Sequence, residues 1–232
     1  SAMRVKVVVF DYDGTLTPAL HEDGTLSSKL AEIKEIGVIL GIATGRSLES
    51  LRGNIGDKLD FFDFTIAENG AVIVSEKLGL REVFKPEYWD KVVERFVEEG
   101  LGYNIGEVRI GISEEDLEKA RRVAEEFPGK VKIVKVTPDY FNAIPSNVNK
   151  ARALLKVLER LGVEPAKVAF IGDGENDVEI AEICGFSAAV ANASEKLKNK
   201  VKYVCKREDG EGVIEFLDFF MLRSIGEKVC KE

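Results

Sequence analysis

Glutamine is absent from the 232 residues, and histidine and tryptophan occur once each. The chain is rich in glutamate and lysine, and with the missing glutamine this is a bias reported for hyperthermophile proteins. A heat-adapted source is the expectation, and a melting temperature in the ordinary mesophile range would overturn it. Cysteine occurs three times, as Cys184, Cys205 and Cys230, scattered, odd in number and without CxxC spacing. They read as ordinary thiols of a reducing cytosol. No stretch approaches the roughly 18–20 apolar residues of a membrane span, so a spanning helix is not expected. Ser1-Ala2 ahead of Met3 reads as a tag remnant, and Val5 to Phe10 is too short for a signal core. Positive charge is in deficit: the net charge of −8 argues against a general nucleic-acid partner, though not against a small anion in a local basic pocket.

What is present is ordinary globular material, with 45% apolar residues and 32% charged. The length suits one core plus a modest insertion. Val5 to Phe10, Val38 to Ala43 and Phe64 to Ala67 read as buried parallel strands, with a helix over Ser28 to Ile36 stopped by Gly37. Ala71 to Val74 and Leu80 to Phe84 read as short strands. A helix is predicted from Pro86 to Glu99, a half-buried strand over Glu107 to Ile112, and a helix over Glu114 to Phe127. Val131 to Val136 alternates Val/Ile with lysine, predicting one wet face, and pairs with Tyr140 to Ile144 through the turn at Thr137-Pro138-Asp139. After Asn149 the first pattern returns: a helix over Lys150 to Leu161, a strand over Val168 to Ile171, a helix over Val178 to Ile183, short final strands, and an apolar helix from Val213 to Leu222. The predicted fold class is α/β, a Rossmann-like parallel sheet formed by residues 1–75 and 148–232. Residues 76–147 form an inserted α+β cap, an antiparallel sheet with two helices on one face.

Four segments carry candidate chemistry: Asp11-Tyr12-Asp13-Gly14-Thr15, Gly41 to Arg46, Lys150, and Gly172-Asp173-Gly174-Glu175-Asn176-Asp177. Three follow predicted core strands, where ligands of open parallel sheets bind. Singly each is weak; a lone DxDG is often a plain turn or Ca²⁺-like loop. The EF-hand reading fails because Leu16 stands where the loop needs glycine and a strand precedes it. His21 lies in a polar loop and reads as surface, and Phe216, Phe219 and Phe220 read as core or as an exposed dimer patch.

Taken in order, DxDGT, a strand-ending threonine, a later lysine and GDGxND resemble the haloacid dehalogenase superfamily of phosphotransferases. The resemblance covers the whole chain, and the insertion is similar to that superfamily's type IIB cap. Ala67-Glu68-Asn69-Gly70-Ala71 matches its Cof-like branch, and size and layout are closest to the archaeal phosphoglycolate phosphatases. Ala151 stands where that branch usually has glycine.

The resemblance implies a Mg²⁺-dependent phosphomonoesterase. Asp11 would be the nucleophile and Asp13 the acid–base residue. Asp11, Asp13 (through its carbonyl), Asp173 and Asp177 would serve the metal, and Thr44, Gly45 and Lys150 the phosphate. Thr15, Arg46 and Asn176 would support the site, although Arg46 has a spacing that also suits a structural ion pair. Elementary electrostatics agrees, since a phosphate dianion repels a carboxylate unless Mg²⁺ and Lys150 concentrate positive charge there. The expected partner is a small phosphomonoester, with 2-phosphoglycolate first and another sugar- or glycerate-phosphate second. A phosphomutase and a non-enzymatic phosphoacceptor module stay open. No nucleic acid or membrane is expected, and the chain would act as a cytoplasmic monomer or homodimer. Glu68, Asn69 and Arg46 are candidate contacts at the mouth. For a substrate carboxylate, Lys85, Arg109 and others are equally eligible.

Overall fold

In the computed structural model, residues 5–221 are described, and side chains as far as Phe219. Cys230, the last residue of the predicted C-terminal helix, Leu222, the Phe220 side chain and Ser1 to Arg4 lie outside the described residues. The β-branched runs become strands, numbered along the chain as β1 (Val7–Phe10), β2 (Ile39–Ala43), β3 (Phe64–Ala67), β4 (Val72–Ser75), β5 (Leu80–Val83), β6 (Ile110–Ser113), β7 (Val131–Thr137), β8 (Tyr140–Pro145), β9 (Val168–Gly172), β10 (Phe186–Ala189) and β11 (Tyr203–Val204). Eight of them form one sheet in the order β11-β10-β9-β1-β2-β3-β4-β5, parallel from β11 to β3 and antiparallel beyond. β1 has no exposed residue, because it lies at the centre of the sheet and is covered on both faces.

The helices are α1 (Thr25–Glu35), α2 (Leu48–Ile55), α3 (Trp89–Glu98), α4 (Leu117–Ala124), α5 (Lys150–Leu161), α6 (Val178–Ile183), α7 (Glu195–Lys198) and α8 (Asp209–Phe216). Strand order reverses at β1: the chain continues to β2 on one side and returns as β9 on the other. Such a switch point opens a crevice beyond the strand ends. The register sets Phe10 beside Ile42 and Ile171, so the loops that follow leave the sheet side by side.

The second sheet, β6-β8-β7, is antiparallel. Trp89, Val92 and Phe96 of α3 and Ala120 and Val123 of α4 form one core with Ile110, Ile112, Phe141 and Ala143. The expected border at residue 76 falls inside the β4–β5 hairpin, because Leu80–Val83 is the edge strand of the larger sheet.

Two local expectations change. The strand predicted from Glu107 begins only at Ile110, since the N–H groups of Glu107, Val108 and Arg109 bond to the Glu68 carboxylate instead of a sheet partner. Nor is the polar face of β7 open to water: all seven residues are half-buried. Lys132 is pushed below its ordinary pKa by burial, with Glu179 of α6 opposing that shift. Val136 of β7 lies close over Gly45 and Gly174, in the loops of the larger sheet. His21 is exposed, with its ring at 2.9 Å from the Tyr12 hydroxyl. Phe216 is buried and Phe219 is 48% exposed. No helix among the described residues is long and apolar enough to cross a membrane.

Candidate active site

Asp11 directly follows β1, and its N–H bonds to the Ile171 carbonyl at 3.0 Å. Its Oδ1 accepts the Tyr12 N–H at 2.8 Å and lies 3.3 Å from Lys150 Nζ. Lys150 opens α5 behind an Asn149 cap, and it is 1% exposed. A cation in the first helical turn runs against the macrodipole, so its place must be stabilised by something else. That partner is the acid cluster: Nζ stands 2.7 Å from Asp177 Oδ1. Asp177 Oδ2 accepts the N–H groups of Asp173 and Gly174, each at 3.1 Å. Thr15 donates its hydroxyl to Asp173 Oδ1 at 3.2 Å. Gly14 makes this approach possible, with φ +72° and Asp173 in the space a side chain would need.

Carboxylate oxygens of Asp11, Asp173 and Asp177 lie within 4.8 Å of one another. Burial pushes Asp11 and Asp177 up to about 7 and Asp173 up to about 6, and Lys150 opposes the rise in all three. Burial alone would lower Lys150, but Asp11 and Asp177 outweigh it and hold the ammonium above its ordinary value. One ammonium against three carboxylates leaves two negative charges unbalanced when all are ionised. Buried charge of that kind demands a counterion. An all-oxygen, all-carboxylate donor set fits a hard divalent cation.

The other residues gather on the same rim. Thr44 follows β2, is 1% exposed, and accepts the Arg46 N–H on its Oγ1 at 3.1 Å, leaving its hydroxyl proton available. The Asp13 carboxylate accepts two hydrogen bonds from Arg46, Nε to Oδ2 at 2.7 Å and Nη2 to Oδ1 at 2.8 Å. The Gly45 carbonyl accepts from Asn142 Nδ2 at 2.9 Å. A methyl group at Gly45 would meet the Asn142 amide and both Val136 methyls at 3.1 Å. The smaller sheet thus closes directly over the Thr44–Arg46 loop.

Glu68, Asn69 and Gly70 form a corner with φ values of +51°, +59° and +111°. Two consecutive non-glycine residues in the left-handed region are strained and need surrounding structure to hold them. Glu68 N–H bonds to Arg46 O at 2.9 Å, Asn69 N–H bonds to Thr44 O at 3.0 Å, and Gly70 packs on the Asn149 carbonyl. Asn176 Nδ2 donates to Asn69 Oδ1 at 2.8 Å. The corner therefore ties the phosphate-binding candidates to the start of α5 and to the Gly172–Asp177 loop.

Of the two basic candidates, Lys85 pairs with Asp90 at 2.7 Å on the surface. Arg109 is buried and donates through Nη1 to Asn104 O at 3.2 Å and Oδ1 at 3.3 Å. Asn142 went unrecognised in the sequence. Its signal was available, an amide inside the otherwise apolar run Tyr140 to Ile144, at 0% exposure.

The sequence profile of the haloacid dehalogenase-like hydrolases matches residues 8–122 and 102–217. A phosphoglycolate phosphatase of Archaeoglobus fulgidus is 33% identical over 227 residues, covering 94% of this chain and 98% of the relative. A 5-amino-6-(5-phospho-D-ribitylamino)uracil phosphatase of Bacillus subtilis is 26% identical over 244 residues, covering 94% and 96%. Among solved structures, a haloacid dehalogenase-like hydrolase from Bacteroides thetaiotaomicron superposes with a TM-score of 0.76 at 22% identity, covering 93% of this chain and 99% of its own.

Proposed function

Because this chain belongs to the haloacid dehalogenase-like hydrolases and is a phosphomonoester hydrolase, we propose that it cleaves small phosphomonoesters by way of Asp11, with 2-phosphoglycolate the leading substrate. The observation that carries this reading is the meeting of Asp11, Asp173 and Asp177 oxygens within 4.8 Å beside a buried Lys150. The relative from Archaeoglobus fulgidus supports the choice of substrate.

Asp11, Asp173 and the Asp13 carbonyl would hold Mg²⁺, with Asp177, already engaged by Lys150 and two N–H groups, supporting a coordinated water or binding directly. When bound, the ion supplies charge neutralisation at the reacting phosphate. An Asp11 carboxylate oxygen attacks phosphorus, the ester P–O bond breaks, and the phosphoryl group passes to Asp11. Asp13, keeping one oxygen on Arg46 and carrying a proton on the other, gives that proton to the leaving oxygen, then takes one from the water that attacks the aspartyl phosphate. Such acid–base help contributes about 10²–10⁴-fold. The Thr44 hydroxyl, the Gly45 N–H and Lys150 hold the non-transferring oxygens, Thr15 and Asn176 brace the loops, and Arg46 orients Asp13. The buried free thiols of Cys184 and Cys205 support a reducing, cytoplasmic setting.

A second reading, another sugar- or glycerate-phosphate, draws on the relative that acts on a ribityl phosphate. The test is phosphate release from a panel of phosphomonoesters with and without Mg²⁺, in the parent and Asp11→Asn. Mg²⁺-dependent release, highest on 2-phosphoglycolate and abolished in Asp11→Asn, is the expected result. Full activity of Asp11→Asn would end the nucleophile assignment. Phosphoryl return to substrate, or a long-lived phosphoprotein without phosphate release, would favour a mutase or an acceptor module.

A further inference from the structure

Arg109 is a buried cation whose guanidinium forms no ion pair among the described residues. It is 3% exposed, and its Nε is buried without a hydrogen-bond partner. The Nη1 contacts are to a carbonyl and an amide oxygen, both neutral. Among the described residues no carboxylate stands within the 4.0 Å of an ion pair to its guanidinium. Arg46 and Arg95 show the contrast, each with a carboxylate at both Nε and Nη2. A guanidinium cannot shed its proton, so a buried one without a counterion is costly to keep.

Its position says what that charge is for. Arg109 directly precedes β6, and its guanidinium bonds to Asn104, whose amide lies over Gly111 of that strand. Gly111 is paired with Asn142, whose amide reaches the Gly45 carbonyl. The space over Gly111 is filled by the Tyr140 hydroxyl and the Asn104 amide, which bond to each other. Tyr140 is also close enough to add to the raised pKa of Arg46. Arg109 therefore belongs to the face of the small sheet that covers the Thr44–Arg46 loop. Its backbone is pinned there by Glu68, which accepts the Arg109 N–H at 2.7 Å.

We propose that Arg109 is the specificity-determining residue of this phosphatase, receiving a carboxylate on the substrate while the phosphate lies against Asp11. The assignment rests on the phosphatase reading and narrows its substrates to short phosphomonoesters bearing an acid group. An arginine fork matches a carboxylate with two parallel hydrogen bonds, which a neutral hydroxyl cannot reproduce. Glu68 acts as a positioning residue for it.

Two esters of equal length separate the possibilities, 2-phosphoglycolate and 2-hydroxyethyl phosphate. The readout is the ratio of their kcat/KM values in the parent, Arg109→Lys and Arg109→Gln. The parent should prefer the acid. The ratio should fall by about 10–100-fold in Arg109→Gln, the scale of a lost charge-assisted hydrogen bond, chiefly through KM. Arg109→Lys should lie between, keeping the charge but losing the fork, and it decides the matter if the glutamine variant does not fold. An unchanged ratio, or equal losses on both esters, would overturn the role of Arg109. A parent that hydrolyses both esters equally well would remove this assignment alone, whereas a parent that releases phosphate from no ester would remove the phosphatase reading with it.

Discussion

Arg46 grips the Asp13 carboxylate at two points, Nε to Oδ2 at 2.7 Å and Nη2 to Oδ1 at 2.8 Å, while its Nη1 donates to Ser50 Oγ at 2.9 Å. The guanidinium also lies 5.7 Å from the centre of the Tyr12 ring. Both charged side chains are 30% exposed, so the pair adds little to stability and matters more for where Asp13 points.

Replacing the planar fork by a point charge should loosen that aim. Arg46→Lys is expected to lower kcat by roughly tenfold or more on an alkyl phosphate, where the leaving oxygen needs a proton. On p-nitrophenyl phosphate, whose leaving group needs none, the loss should be smaller. Steady-state rates on the two esters check this, and equal losses would show that Arg46 does not act through Asp13.

Glu68 is 1% exposed and satisfies three N–H groups, at 2.9, 2.9 and 2.7 Å, that have no sheet partner. Glu68→Ala strands those donors at a cost of about 1–3 kcal/mol or more. For a chain of this size that corresponds to a fall in Tm of roughly 2–12 °C. Glu68→Gln keeps an acceptor oxygen and should lose less. Calorimetric melting measures both, and an unchanged Tm for the alanine variant would mean that the clamp carries no stability.

Metal removal should make the fold sensitive to pH in an unusual direction. Burial raises Asp11 and Asp177 from 3.8 to about 7 and Asp173 to about 6. Groups raised in the folded state release protons on unfolding, so they favour the native chain below pH about 4 and lose that contribution as pH rises through 6–7. Chelator-treated protein should therefore unfold at lower denaturant at pH 8 than at pH 5 as far as these groups decide. Added Mg²⁺ should restore more stability at pH 8, where it does not compete with protons. A Mg²⁺ shift of the midpoint that is as large at pH 5 as at pH 8 would remove the acid cluster as its site.

Much of the site could be read without coordinates because its parts are strand ends. An apolar run followed by Asp11, Thr44 or Asp173 marks where a buried strand must stop and meet polar groups. Lys150 was legible only by its order in the motif set, since a lysine opening a helix is by itself a surface residue. Other features were not legible because they depend on pairings across the chain. The alternation of residues 107–112 is that of a strand, yet the Glu68 side chain, about forty positions earlier, takes the hydrogen bonds the strand would need. Lys132 of β7 reads as part of a wet face because lysine usually is wet, but it is half-buried, with Glu179 of α6 near enough to act on it.

Local pattern alone decided that this chain has a parallel sheet with an inserted antiparallel one, and which carboxylates would stand at the strand ends. Those properties follow from side-chain alternation and turn chemistry over a few residues. Only the folded chain decided that Arg46 holds Asp13, that Glu68 clamps the loop before β6, and that Arg109 is buried with no ion pair to its guanidinium among the described residues. Burial and ion pairing are relations between distant segments, and no local run of residues contains them.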